Sequence, residues 1–124
     1  MAAGSDALKR AWEHDSAGRE TEAAIEYRAA FEAGIDDEEM PGALLGFGST
    51  LRNVGELEES EKVLREAVTR YPDNAALRVF LALTRWERDD KGGAWRELIE
   101  ALFRAEAPGM ARYERAIRGY SAEL

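Results

Sequence analysis

Apolar residues recur every three or four positions along almost the whole chain. In GELEESEKVLREAVTRYP, the residues Leu57, Ser60, Leu64, Ala67 and Tyr71 fall on one helical face. Acidic Glu56, Glu58, Glu59 and Glu61 come before basic Lys62, Arg65 and Arg70, an order that complements the helix dipole. Glu58/Lys62, Glu61/Arg65 and Glu66/Arg70 stand one helical turn apart. The same periodicity predicts seven helices, over about 5–16, 19–33, 38–53, 56–70, 74–89, 91–106 and 109–123. Breakers separate them at Gly18, Gly34, Gly55, Pro72, Gly92/Gly93 and Pro108/Gly109. No stretch alternates with period two, so no strand is expected. Loops this short make consecutive helices antiparallel neighbours within one domain, residues 1–124.

The pattern is self-similar. A shift of about 34 residues superposes Phe47-Gly48 on Leu81-Ala82, Ser60 on Ala94, Leu64 on Leu98, Ala67 on Ala101 and Val68 on Leu102. A shift of about 37 superposes Gly18 on Gly55, Ala23 on Ser60, Tyr27 on Leu64 and Ala30 on Ala67. The unit is a helical hairpin of about 34 residues, with extra residues in the acidic loop GIDDEEMPG. Leu44-x2-Phe47-Gly48-x2-Leu51, followed by Gly55, Ser60, Leu64, Ala67 and Pro72, resembles a tetratricopeptide repeat. The likeness extends over residues 5–108, and phrases such as AWEHDSAGRE and ALLGFGSTLRNVG look like small free-standing bacterial proteins of this class. It implies an all-α, right-handed superhelical solenoid with repeats over about 5–36, 41–74 and 75–108 and a capping helix over 109–123. The outer units depart from the pattern. Arg78 and Arg85, and likewise Arg10 and His14, occupy places where large apolar residues are usual, which predicts different packing of those first helices.

Composition narrows the function. A net charge of −8 argues against generic affinity for nucleic acid or anionic lipid, which dense Lys/Arg surfaces bind. The absence of cysteine removes thiolate metal sites and thiol nucleophiles and fits a reducing cytoplasm. No leader-like segment and no apolar stretch of membrane-spanning length is present, so a soluble cytoplasmic chain is expected.

Candidate chemistry is sparse. Gly42-x5-Gly48-Ser49-Thr50 has neither the spacing, the lysine nor the preceding strand of a phosphate loop, and Gly48 falls where two helices of a hairpin must approach closely. Glu13-His14-Asp15 does not converge, because adjacent helical residues point about 100° apart. Asp36-Asp37-Glu38-Glu39 lacks the alternation of a calcium loop and reads as a solvated helix N-terminus. The one histidine cannot serve a hydrolase triad without a nucleophile elbow. No enzyme, metal or cofactor is expected.

A second stripe runs along the first helix of each unit. Leu8-Trp12-Asp15, Leu45-Ser49-Arg52 and Val79-Leu83-Trp86 share one spacing and superpose under the same shifts. The resemblance places these helices on the concave side, which predicts a groove for a peptide or helical segment of a protein partner, with Arg52 and Asn53 as polar anchors. The alternative is that three repeats leave no groove and the tryptophans are core. Leu8 and Trp12 stand where chaperone-binding members carry Lys and Asn, so a carboxylate clamp is not expected. Met110, Tyr113, Ile117, Tyr120 and Leu124 form an apolar stripe on the last helix. That stripe is expected to cover the third hairpin or, if it reaches a neighbour, to make a homodimer.

Overall fold

The computed structural model describes residues 1–124. Its α-helices are α1 (Ser5–Ser16), α2 (Glu20–Ala33), α3 (Met40–Asn53), α4 (Leu57–Arg70), α5 (Ala75–Glu87), α6 (Lys91–Arg104) and α7 (Glu114–Ala122), with a 3-10 turn at Ala111–Tyr113. No strand is present. Helices α1/α2, α3/α4 and α5/α6 form antiparallel hairpins, and each hairpin stacks on the next through α2 against α3 and α4 against α5.

Two helix starts differ from the periodicity by two residues or more, and α5 and α6 each end two residues early. Pro41 sits in the first turn of α3, where its missing N–H costs nothing, and the helix starts at Met40 rather than at the acidic run preceding it. The last helix begins only at Glu114, because Gly109 is left-handed at φ 87° and the backbone resumes through the 3-10 turn. Within the hairpins, left-handed Gly18 and Gly55 make the first two turns, and Asp89, at φ 64°, takes the corresponding place in the third. Gly92 and Gly93 therefore lie inside α6 instead of breaking it, and Asp90 caps the helix by accepting from the Gly93 N–H at 2.9 Å.

The interior divides where the hairpins stack. Leu8, Ala11, Ala23, Tyr27, Ala30, Phe47 and Leu51 build a first cluster between α1, α2 and α3. Leu64, Ala67, Val68, Leu77 and Leu81 build a second between α4 and α5, with Leu44 and Leu45 packed against it. Small residues set the spacing. A Cβ on Gly48 would strike the Leu64 side chain, and one on Gly46 would strike the Tyr27 ring. At the same junction the Ser60 hydroxyl reaches the Gly48 carbonyl oxygen at 2.7 Å and the Thr84 hydroxyl at 2.9 Å, tying α3, α4 and α5 together. The glycine-rich stretch is thus a packing device.

The arginines of α5 are accommodated by one carboxylate, and α5 still packs along α6. Glu97 of α6 accepts from Arg78 at 2.9 Å and from Arg85 at 3.0 Å, and Arg78 also donates to the Pro72 carbonyl oxygen at 2.9 Å. Arg78 keeps only 9% of its side chain exposed, so its charge is held by geometry and not by water.

Helix α7 lies against α6 and covers the third hairpin only in part. Met110 and Ile117 are half-buried, while Tyr113, Tyr120 and Leu124 are 54, 74 and 63% exposed. Polar groups also hold the helix. The Trp95 indole N–H donates to Ser121 Oγ at 3.0 Å, Arg96 donates to the Ser121 and Leu124 carbonyl oxygens, and Arg118 pairs with Glu100 at 2.8 Å while lying over the Phe103 ring.

Two substitutions test the packing. Gly48→Val should cost about 2 kcal/mol or more by overpacking against Leu64, whereas Gly42→Ala, which meets open space, should gain about 0.5–1 kcal/mol of helix propensity. Urea denaturation monitored by circular dichroism checks both. Glu97→Ala should cost about 3 kcal/mol, because it strands the Arg78 guanidinium, and the same titration would show that loss as a lower midpoint at unchanged slope.

Candidate functional site

The sequence stripe divides once its residues are placed. Leu8 is a correction: it is 1% exposed in the first core cluster, because α2 and α3 close over that side of α1. Trp12 is not core. It stands 39% exposed on the first hairpin. Asp15 is half-buried and accepts from the Tyr27 hydroxyl at 3.1 Å, so it is committed to the fold. Burial first, then the Asp15 carboxylate, pushes the Tyr27 phenol well above its ordinary value.

The middle row is polar and already partnered. Arg52 donates to Glu87 of α5 at 3.2 Å and to Ser49 at 3.4 Å, while its Nε has no hydrogen-bond partner. Asn53 is exposed, and Leu45 is half-buried against the second cluster.

The apolar exposure gathers at the third hairpin. Val79, Leu83 and Trp86 of α5 are 38, 41 and 57% exposed, and Trp95, Leu98 and Leu102 of α6 are 46, 40 and 43% exposed. Trp86, Trp95, Leu98 and Leu124 line one cleft of about 360 Å³ with Lys91, whose ammonium lies 4.8 Å above the Trp86 ring. The α6 residues were absent from the sequence stripe. The internal repeat superposes Leu98 and Leu102 on Leu64 and Val68, which are buried, so periodicity marks them as packing positions. What buries Leu64 and Val68 is α5, through Leu77 and Leu81, and α7 does not take that place on the third hairpin. The readable signal was chemical. At the positions of Ser49, Arg52 and Glu61 the third hairpin carries Leu83, Trp86 and Trp95.

The His14 Nδ1 accepts from Arg19 Nε at 2.8 Å on an exposed turn. No helix is long and apolar enough to cross a membrane.

Stacked antiparallel hairpins, a small residue at each close approach and an open apolar end define a helical-repeat interaction protein. The chain belongs to the tetratrico peptide repeat family, which matches residues 4–124 and makes it a protein-interaction module with an all-α solenoid fold. No curated protein matches it.

Arg118 holds the Glu100 carboxyl below its ordinary value, chiefly by hydrogen bonding. This contribution is complete above pH 4.5, the ordinary value, and is lost as the pH falls through the depressed one. Glu100→Gln should therefore speed amide exchange in Glu114–Ala122 by about two- to fivefold at neutral pH, the range of an exposed ion pair, and leave α1–α5 unchanged. Acidification of the wild type through the depressed value should lower the protection factors of the same amides, taken relative to the intrinsic exchange rate at each pH.

Proposed function

We propose that the chain is a non-enzymatic module, working in the cytoplasm, that holds an apolar or amphipathic segment of a protein partner at the third-hairpin end of its concave side. Val79, Leu83 and Trp86 supply the apolar contact there, extended by Trp95, Leu98 and Leu102. Arg52, Ser49 and Asn53 offer polar groups beside it, and Trp12 and Leu45 mark the far end of the row.

One observation carries this reading. On the second hairpin the equivalent surface is covered by α5, whereas on the third it is both more apolar and open. Apolar surface concentrated in this way, with tryptophan prominent, is the usual composition of a contact site. A helix laid across the face would find rows of side chains on two antiparallel helices, the geometry that reads anchors one turn apart.

Affinity capture with a double control tests it. A Leu83→Glu/Trp86→Ala protein of unchanged helicity should lose partners of the wild type by about tenfold or more, and Ile25→Ala, an exposed change on α2, should keep them. Partners retained by the double variant would move binding to another face.

A further inference from the structure

We propose that the occupant of the open third-hairpin face is α7 of a second copy of this chain, docked reciprocally in a two-fold pair. The inference rests on the reading of that face as a docking surface and names what fills it.

The second hairpin supplies the template. There α5 covers Leu64 and Val68 with Leu77 and Leu81, and its covering stripe continues through the buried Thr84. Tyr113, at the end of the 3-10 turn, and Ile117 and Tyr120 of α7 repeat the same four-three spacing, and Leu124 follows just beyond the helix. The last helix thus carries a stripe in the register that a covering helix needs. In its own chain that stripe is used only in part: Ile117 is half-buried, the contacts of Ser121 and Arg118 hold α7 against α6, and Tyr113 and Tyr120 face solvent. A largely open covering stripe and an uncovered face belong to the same polypeptide.

The area is sufficient for a pair. The exposed apolar residues amount to on the order of 500 Å² on the hairpin and roughly 400 Å² on α7. Complete reciprocal burial by two copies sets an upper bound on the order of 1,800 Å², within the range of stable interfaces, whereas a single helix on a single face is bounded at about half. Leu124 lines the cleft of Trp86, Trp95 and Leu98, so the two surfaces adjoin, and one partner can meet both. That closes the assembly as a pair and does not propagate it.

Sedimentation equilibrium of the full chain from about 1 to 100 µM is the test, with a 13.8 kDa monomer expected to give way reversibly to twice that mass. Leu98→Glu and Tyr120→Glu should each weaken pairing by about 30-fold or more while helicity stays unchanged. An equimolar mixture of the two variants should form mixed pairs through one intact contact, α7 of the Leu98→Glu copy on the face of the Tyr120→Glu copy, tighter than the pairs of either variant alone and weaker than those of the wild type. Should Leu98→Glu disturb folding, Leu102→Glu on the same face gives the same readout. A wild type that stays monomeric at about 100 µM overturns the proposal, as does a pair that either variant leaves intact. A monomer whose captured partner still depends on Leu83 and Trp86 overturns only the identity of the occupant. A monomer whose partners ignore both residues removes the docking face too.

Discussion

A helical hairpin has two apolar sides and can bury only one of them within itself. The other must be covered by a neighbour, and how closely that neighbour approaches is set here at one junction. Gly48 lets Leu64 of α4 lie against the backbone of α3, and the Ser60 hydroxyl fills the remaining polar need by reaching the Gly48 carbonyl oxygen and Thr84 of α5. Three helices are fixed relative to one another by a missing side chain and one hydroxyl. The second core cluster, the Arg52–Glu87 and Arg88–Glu61 pairs across the α3/α4 and α5 boundary, and the position of the open face all follow from that approach.

The third hairpin solves the same packing problem with charge. Where the second uses Leu44 and Leu51 on its first helix, the third has Arg78 and Arg85, and a single carboxylate, Glu97, satisfies both. A buried ion cluster is a poor source of net stability but a strict one, since any displacement of α6 along α5 leaves a charge without its partner. The open face is therefore presented by a hairpin whose two helices cannot slide. Rigidity of that kind would lower the ordering cost of the proposed binding, because the side chains of the face are in place beforehand.

Periodicity made nearly all the helices legible, since it reports which residues share a face. It could not report whether the face is covered. Leu98 and Leu102 carry the same pattern as Leu64 and Val68 and differ only in having no α5 beyond them, so they were legible as packing residues and illegible as surface. Leu8 failed in the opposite direction. It shares the spacing of Val79, yet α2 and α3 close over it, which the spacing of α1 alone does not encode. Glu97 was invisible as the answer to Arg78 and Arg85 because it lies on the next helix, and matching charges across a hairpin requires its register.

The last helix shows the limit most clearly, because local pattern and tertiary placement disagree there. By its stripe α7 is a covering helix; by its contacts it is attached through Arg118, Ser121 and the Trp95 indole, all polar and most of them half-open to water. Exposed ion pairs and hydrogen bonds of this kind contribute little net stability, so α7 is among the least firmly held elements of the fold. A weakly held amphipathic helix beside an uncovered apolar face has its largest available gain in burying that stripe. Within its own chain Tyr113 and Tyr120 do not reach that gain, and under the proposed pairing a second copy supplies the surface. The end of the array, where stacking stops, is for that reason where we place the partner.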